Sequence, residues 1–295
     1  MSATTIPAPD TSSAPPRPRR RVNVEHLVLY VITAVVLVLI AFPVFWLLTT
    51  SVKVSGDTAT SPPVLLPTRF TLDNYSSALS TPGVAKSFLN SIIIATTATF
   101  LTTILGSMAA YALAKTYLSS AIRRGLMIWI LVTRIFPPVT TAIPYYVIIK
   151  NLRLGDTYAA VILTYVSYGL PFVIWLMLGF FQDLPAEIEK AAIVDGCTLW
   201  QRFTRVVLPL ALPGLAVTAV FAFIYSWNEL LYASMLTSFD AKTIPVVIAG
   251  FISDQFLRWG DMTALGTLMI LPVLIFASLA QRYLVRGLTF GAVKG

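Results

Sequence analysis

Polar and apolar residues along this chain fall into long blocks rather than short periods. Uncharged apolar runs of roughly 20 residues or more, the length that spans a bilayer, lie within residues 27–50, 87–114, 157–182 and 262–281. Two further runs, 125–149 and 206–236, each contain a single charge, Arg134 and Glu229, and the first of them also contains Pro137 and Pro138. The blocks predict an all-α, polytopic membrane protein with six transmembrane helices. The first 22 residues are rich in Pro, Ser, Thr and Arg with little to bury, which predicts a disordered tail at 1–22 ahead of a six-span domain at 23–295.

Composition agrees with that reading and narrows it. Hydrophobic residues make up 57% of the 295 and charged residues only 12%, about half the charge of a soluble domain. The net charge of +8 is spread in short clusters between apolar runs, so the basic residues form no nucleic-acid face and point to a membrane surface. With the N-terminus inside, the inner segments hold thirteen Lys and Arg and the outer segments seven. That bias predicts both termini in the cytoplasm. The same orientation places long external loops at 51–86 and 237–261, a cytoplasmic loop at 183–206 and a cytoplasmic C-terminal tail at 282–295. One Cys, Cys197, and one His, His26, leave no disulfide, zinc set or clustered catalytic machinery to assemble.

The loop at 183–206, "DLPAEIEKAAIVDGCTLWQRFTRV", is the most polar stretch between spans in the second half of the chain. Asp183 is placed to cap a helix with Pro185 in its first turn, and Glu187 and Glu189 sit where the helix dipole favours negative charge. Leu184, Ile188, Ala191, Ala192 and Asp195 share one face by three-and-four spacing. Ala191 and Ala192 lack bulk, so another surface can approach closely there. Gly196 suits a left-handed turn that ends the helix, and Thr198 suits the cap of a second helix running through Trp200, Phe203 and Val206 toward Pro209. From physics alone this is either an interfacial hairpin joining two spans or a docking knob.

The spacing of Ala191 and Ala192, Gly196, and Val206, Leu208 and Pro209 resembles the signature of bacterial ABC importer membrane subunits. "FTLDNY" from Phe70, "NSIIIA" from Asn90, "AAYALAK" from Ala109, "WNELL" from Trp227 and the tail "QRYLVRGLTFGAVKG" are similar to blocks of the carbohydrate-importer permeases, in family order. The resemblance implies the type I ABC importer permease fold, with the loop as a coupling helix in which Glu187, Glu189, Lys190, Ala191, Ala192, Asp195 and Gly196 meet a cytoplasmic ATPase. Lys190 departs from the family, which usually has glutamate there. The resemblance further implies a second permease subunit, two ATPase subunits that bind ATP and Mg, an external substrate-binding protein delivering a sugar or polyol, and a bacterial cytoplasmic membrane. The external loop at 237–261 is expected to contact that binding protein, and Gly287 and Gly291 of the tail suit a backbone laid against the ATPase.

No G-x-x-x-x-G-K-[ST] phosphate cradle occurs in the chain, so ATP hydrolysis belongs to another subunit and this one is not an enzyme. The competing class, an ion-coupled carrier or channel, calls for ionisable groups at membrane depth; the candidates reduce to Arg134 and Glu229. Arg134 either lines a watery path or pairs with backbone and side-chain groups in the bundle without touching cargo, and Pro137 and Pro138 free carbonyls nearby that a guanidinium can satisfy. Glu229 either faces a cavity or lies near the outer end of its span. Among many aromatics, Tyr145, Tyr168 and Trp227, with the amide of Asn228, are the candidate lining of a cargo path, since sugars stack on rings and hydrogen-bond to amides.

Overall fold

The computed structural model describes residues 24–115, 118–252 and 258–292, and the chain divides into two units, up to Trp46 and from Leu47. The expected tail at 1–22, and residues 253–257 of the expected loop at 237–261, lie outside the described residues. In the first unit the described residues belong to helix α1, Val24–Ser51, whose apolar side chains from Leu27 to Phe45, Tyr30 and Val38 among them, are exposed. That surface suits contact with lipid rather than water.

In the second unit, a segment after α1 is pinned by an isolated bridge between Lys53 and Phe70. Helices α2 (Asp73–Ser80), α3 (Val84–Lys115), α4 (Ser120–Ile135), α5 (Pro138–Asn151) and α6 (Tyr158–Asp183) follow. Then come α7 (Ala186–Val194) and α8 (Leu199–Gln201), which runs through a π-helical turn at Arg202–Val207 into α9 (Leu208–Leu210). Helices α10 (Leu212–Asn228), α11 (Leu231–Leu236), α12 (Ile244–Ala249) and α13 (Trp259–Ala292) complete the order. The C-terminal tail thus continues the last helix as far as Ala292.

Four of these helices are long and apolar enough to cross a membrane, and the count reaches six if each of two bent pairs is one span. The bent pairs are the two runs that carry a charge. Helices α4 and α5 meet at 99°, because Phe136 and Pro137, each followed by a proline, are held in extended backbone (ψ 126° and 139°). The segment ending in α9 meets α10 at 81°, and α10 stops at Asn228 rather than continuing to residue 236. Pro209 and Pro213 bracket the Ala211 break and remove backbone donors that a continuous helix would need.

The pair α3 and α6 forms the centre of the second unit. Helix α3 turns Ser87, Ser91, Ala95, Ala98, Thr102, Gly106 and Ala110 inward at spacings of three or four, and such small residues let helix backbones approach closely. Gly106 is required there: a Cβ would overlap Val173 of α6. Helix α10 packs on α3 and α13, α11 on α5, and α12 on α3.

Candidate functional site

The stretch after α6 folds into a projecting knob. Helix α7 ends on Gly196 at φ 75°, with Gly196 N–H donating to Ile193 O at 3.0 Å and Cys197 N–H to Ala192 O at 3.0 Å. This is the left-handed close that glycine adopts without penalty. Thr198 then caps α8: its Oγ1 accepts from Gln201 N–H at 3.3 Å while Gln201 Oε1 accepts from Thr198 N–H at 2.9 Å, a reciprocal capping box. The start of α7 differs from expectation. Asp183 stays in the last turn of α6, and Pro185 takes the cap position with no side-chain bond, because the apolar run of α6 carries its helix through Asp183.

The faces of α7 also differ from the sequence reading. Ala192 and Glu189 point inward, whereas Glu187, Lys190, Ala191, Asp195 and Gly196 are exposed. The expected face holding Ala191, Ala192 and Asp195 together is therefore split. Glu189, expected at the docking surface, is only 9% exposed. Its Oε1 accepts from the Tyr111 hydroxyl at 2.7 Å and lies 3.5 Å from Arg202 Nη1. Tyr111 sits at the end of α3, its ring 5.8 Å from Phe181 and 5.1 Å from Phe203. The Tyr111 hydroxyl and the Arg202 guanidinium are the polar partners that a carboxylate turned inward among these rings requires. The exposed side of the knob carries Ile193, Leu199, Trp200 and Val194, the last 87% exposed.

A second locus lies between α4, α6 and α10. The guanidinium of Arg134 stands 4.9 Å above the Tyr168 ring and 5.8 Å from that of Phe172, and Nη1 donates to Tyr168 O at 3.3 Å. Arg134 thus pairs with backbone and ring groups of the bundle, its carbonyl acceptor lying on α6. Tyr168 stacks on Tyr225 at 5.4 Å and meets Tyr232, which also contacts Tyr145. Arg134 and Tyr225 line a cavity of 250 Å³ together with Thr102, Tyr165, Gly169 and Phe172. Tyr145 and Tyr168 therefore come together, but the other two path candidates do not join them. Trp227 is 1% exposed, stacked on Phe223, with Nε1 donating to Met269 O at 3.1 Å; its ring is core packing. Asn228 lines a different cavity, beside Leu230 and Met262. Glu229 lies just past the end of α10 but is buried, at 8% exposure, and its carboxylate accepts from Tyr232 N–H at 2.9 Å and Ala233 N–H at 3.1 Å, closing the start of α11.

A third locus, at the opposite end of α6 from the knob, escaped sequence reading. Asp156 accepts four backbone N–H groups, from Ser238, Phe239, Asp240 and Ala241, at 2.9–3.1 Å. Burial acts to raise the Asp156 carboxyl, but those amides outweigh it and hold the pKa at about 2.

The family described as "Binding-protein-dependent transport system inner membrane component" matches residues 102–290. The chain belongs to this family. It is 38% identical over 256 residues to the trehalose transport system permease protein SugB of Mycobacterium tuberculosis (strain CDC 1551 / Oshkosh), covering 86% of this chain and 92% of the relative. It is 34% identical over 280 residues to the trehalose/maltose transport system permease protein MalG of Thermococcus litoralis (strain ATCC 51850 / DSM 5473 / JCM 8560 / NS-C), covering 93% and 99%. In fold it is similar to a chain of a bacterial ABC transporter involved in the import of the acidic polysaccharide alginate, with a TM-score of 0.74 at 24% identity, covering 92% of this chain and 100% of that one. For the family member described here, the exposed knob and the polar anchors behind it are the parts with the clearest mechanical consequence.

Proposed function

We propose that this chain is the permease subunit of an ATP-driven, binding-protein-dependent importer for a sugar, a di- or oligosaccharide or a related polyol. The observation that carries the reading is the knob itself, a short helix closed by Gly196 at φ 75° with an exposed apolar crest. Its place in a family member whose relatives import sugars supports the cargo class. The positive-inside bias puts the knob on the cytoplasmic side of the inner membrane, with both termini. There it meets an ATPase dimer, which binds ATP and Mg. A second, homologous permease completes the path, and a binding protein delivers cargo outside.

The mechanism follows from how the knob is tied down. Glu187, Lys190, Ala191 and Asp195 face the ATPase groove, and the missing bulk at Ala191 permits close backbone approach. Closure of the ATPases displaces α7. Glu189 passes that displacement to α3 through Tyr111 and to the π-helical turn before α10 through Arg202. Rotation of α3 with α6, and of α10, changes the side to which the cavity beside Arg134 and Tyr225 opens. Reconstitution of the permease pair with its ATPase and binding protein in proteoliposomes tests this. Sugar uptake is expected only with ATP hydrolysis; uphill uptake without a nucleotide-hydrolysing subunit would overturn the reading.

A further inference from the structure

The cavity between α4, α6 and α10 carries a positive charge with no counter-charge. Arg134, in the last turn of α4, sends one N–H to Tyr168 O at 3.3 Å and lies over the Tyr168 and Phe172 rings. Among the described residues it has no second hydrogen-bond acceptor and no carboxylate within ion-pair reach. Lys86, Arg202 and Arg258, by contrast, each face an acid. A guanidinium offers five N–H donors in a planar fork, so most of the bonds that Arg134 can make are left open.

Depth makes those open donors costly. Tyr168 lies ten residues from the Tyr158 end of α6 and fifteen from the Asp183 end, about 15 and 22 Å of helix. The cation bonded to its carbonyl therefore sits well inside a span, where charge is expensive unless a partner, water or a ligand meets it. Ring faces attract the charge, yet they give its N–H groups no oxygen acceptor.

The rest of the cavity suits a single sugar ring. Its volume of 250 Å³ equals that of about eight waters in the liquid, the scale of one hexose. Phe172, Phe221 and Tyr225 supply apolar faces, and Thr102 and Ser226 supply hydroxyls. Tyr225 is stacked on Tyr168, and its hydroxyl has no hydrogen-bond partner among the described residues. Apolar walls with a few polar groups are the usual lining of a small-molecule site. A neutral sugar can use the rings and hydroxyls but has no need of a full positive charge. A ring that carries a carboxylate uses the charge as well, through the two parallel hydrogen bonds that a guanidinium fork makes with it.

We propose that the cargo is an anionic sugar, a uronic acid or a chain ending in one, whose carboxylate is received by Arg134 while its ring lies among Phe172, Phe221 and Tyr225. The proposal rests on the importer reading and narrows its cargo class.

The test measures equilibrium binding to the whole transporter in nanodiscs, without nucleotide, of methyl glucuronide and methyl glucoside, two radiolabelled probes that differ in the carboxylate. Wild type is expected to bind the glucuronide about ten-fold more tightly, the worth of a charge-assisted hydrogen-bond pair. Arg134→Gln is expected to bind both probes alike, at the affinity wild type has for the glucoside. Arg134→Lys keeps the charge without the fork and is expected to retain about a three-fold preference. Equal binding of the two probes by wild type overturns the proposal, and so does a preference that survives in Arg134→Gln. If Arg134→Gln does not assemble, Arg134→Lys decides: an undiminished preference there overturns the assignment to Arg134. The importer reading is tested separately, by nucleotide-dependent uptake, so a wild type that imports a neutral sugar with ATP and binds the two probes equally sinks the anionic class alone.

Discussion

Asp156, just before α6, and Glu189, just after it, are both carboxylates enclosed by partners, and the partners differ in kind. Asp156 is held by backbone amides of one loop. Those amides move only if the chain itself moves, so the bond set is rigid and indifferent to which side chains the loop carries. Glu189 is held by two side chains from two different helical segments, a tyrosine hydroxyl and a guanidinium. Side-chain partners can swing and re-pair, and a re-pairing links one segment's displacement to another's. The comparison teaches that one fold uses the same chemical group as a clamp at one end and as a joint at the other.

The comparison is broken most severely at the joint. Glu189→Ala leaves the Tyr111 hydroxyl and Arg202 facing each other without an acceptor, and a buried pair that loses one partner costs about 3–5 kcal/mol. Loss of sugar uptake and a lowered thermal midpoint of the assembled transporter are expected; Glu189→Gln, which keeps the size and the tyrosine bond, is expected to restore assembly but not full coupling of ATP hydrolysis to uptake. At the clamp, Asp156→Asn removes a charged acceptor and costs about 2 kcal/mol, read as faster amide exchange at Ser238–Ala241. The pH dependence of the clamp has a definite sign. The carboxyl lies below its ordinary value of 3.8, at about 2, so its contribution is complete above about pH 4 and is lost as pH falls through 2. Exchange protection of those four amides that already collapses near neutral pH would contradict the assignment.

Smaller effects sharpen the contrast. Gly196→Val forces a β-branched residue to φ 75°, at a cost of about 1–2 kcal/mol. Nothing lies within 4 Å of a Cβ at this position, so the cost is conformational and not steric. Uptake is expected to fall while the complex still assembles, and Gly196→Asn, which tolerates the left-handed region, is expected to recover much of it. The smallest change is expected from Lys86→Met. It removes an ion pair with Asp240 whose side chains are 51% and 79% exposed, and it is expected to leave amide exchange in the clamp unchanged at moderate salt.

Much of this architecture is written locally. The apolar runs give the helices, and the Gly196 and Thr198 turn chemistry gives the knob its shape, because glycine at a left-handed close and threonine three residues before glutamine act through neighbours in sequence. The break in the third run is marked in sequence by Pro137 and Pro138, whereas the break at Ala211 in the fifth, between Pro209 and Pro213, is not anticipated there. What stayed hidden depends on residues far apart. Asp156 lies more than eighty positions from the amides it holds, and the positive φ of Arg153 and Asp156 emerges only in the structure. Glu189 sits in a helical first turn where a dipole role is sufficient, and its inward pairing with Tyr111 and Arg202 emerges only in the structure. Trp227 misled for the opposite reason, since an aromatic near a polar cluster reads alike whether it meets cargo or Met269.

Asn90, whose amide donates to the carbonyls of Asp240 and Lys242 at the clamp, and Tyr111 both belong to α3. They stand 21 residues apart, which is about 31 Å of helix, near the thickness of a bilayer's hydrocarbon. One stiff rod therefore ends in the clamp on one side and in the joint on the other, and the absence of any side chain at Gly106 presses that rod against α6 with no gap to absorb a push. A displacement at the joint would then travel to the clamp along a single packed helix, with no loop between the two ends to take it up.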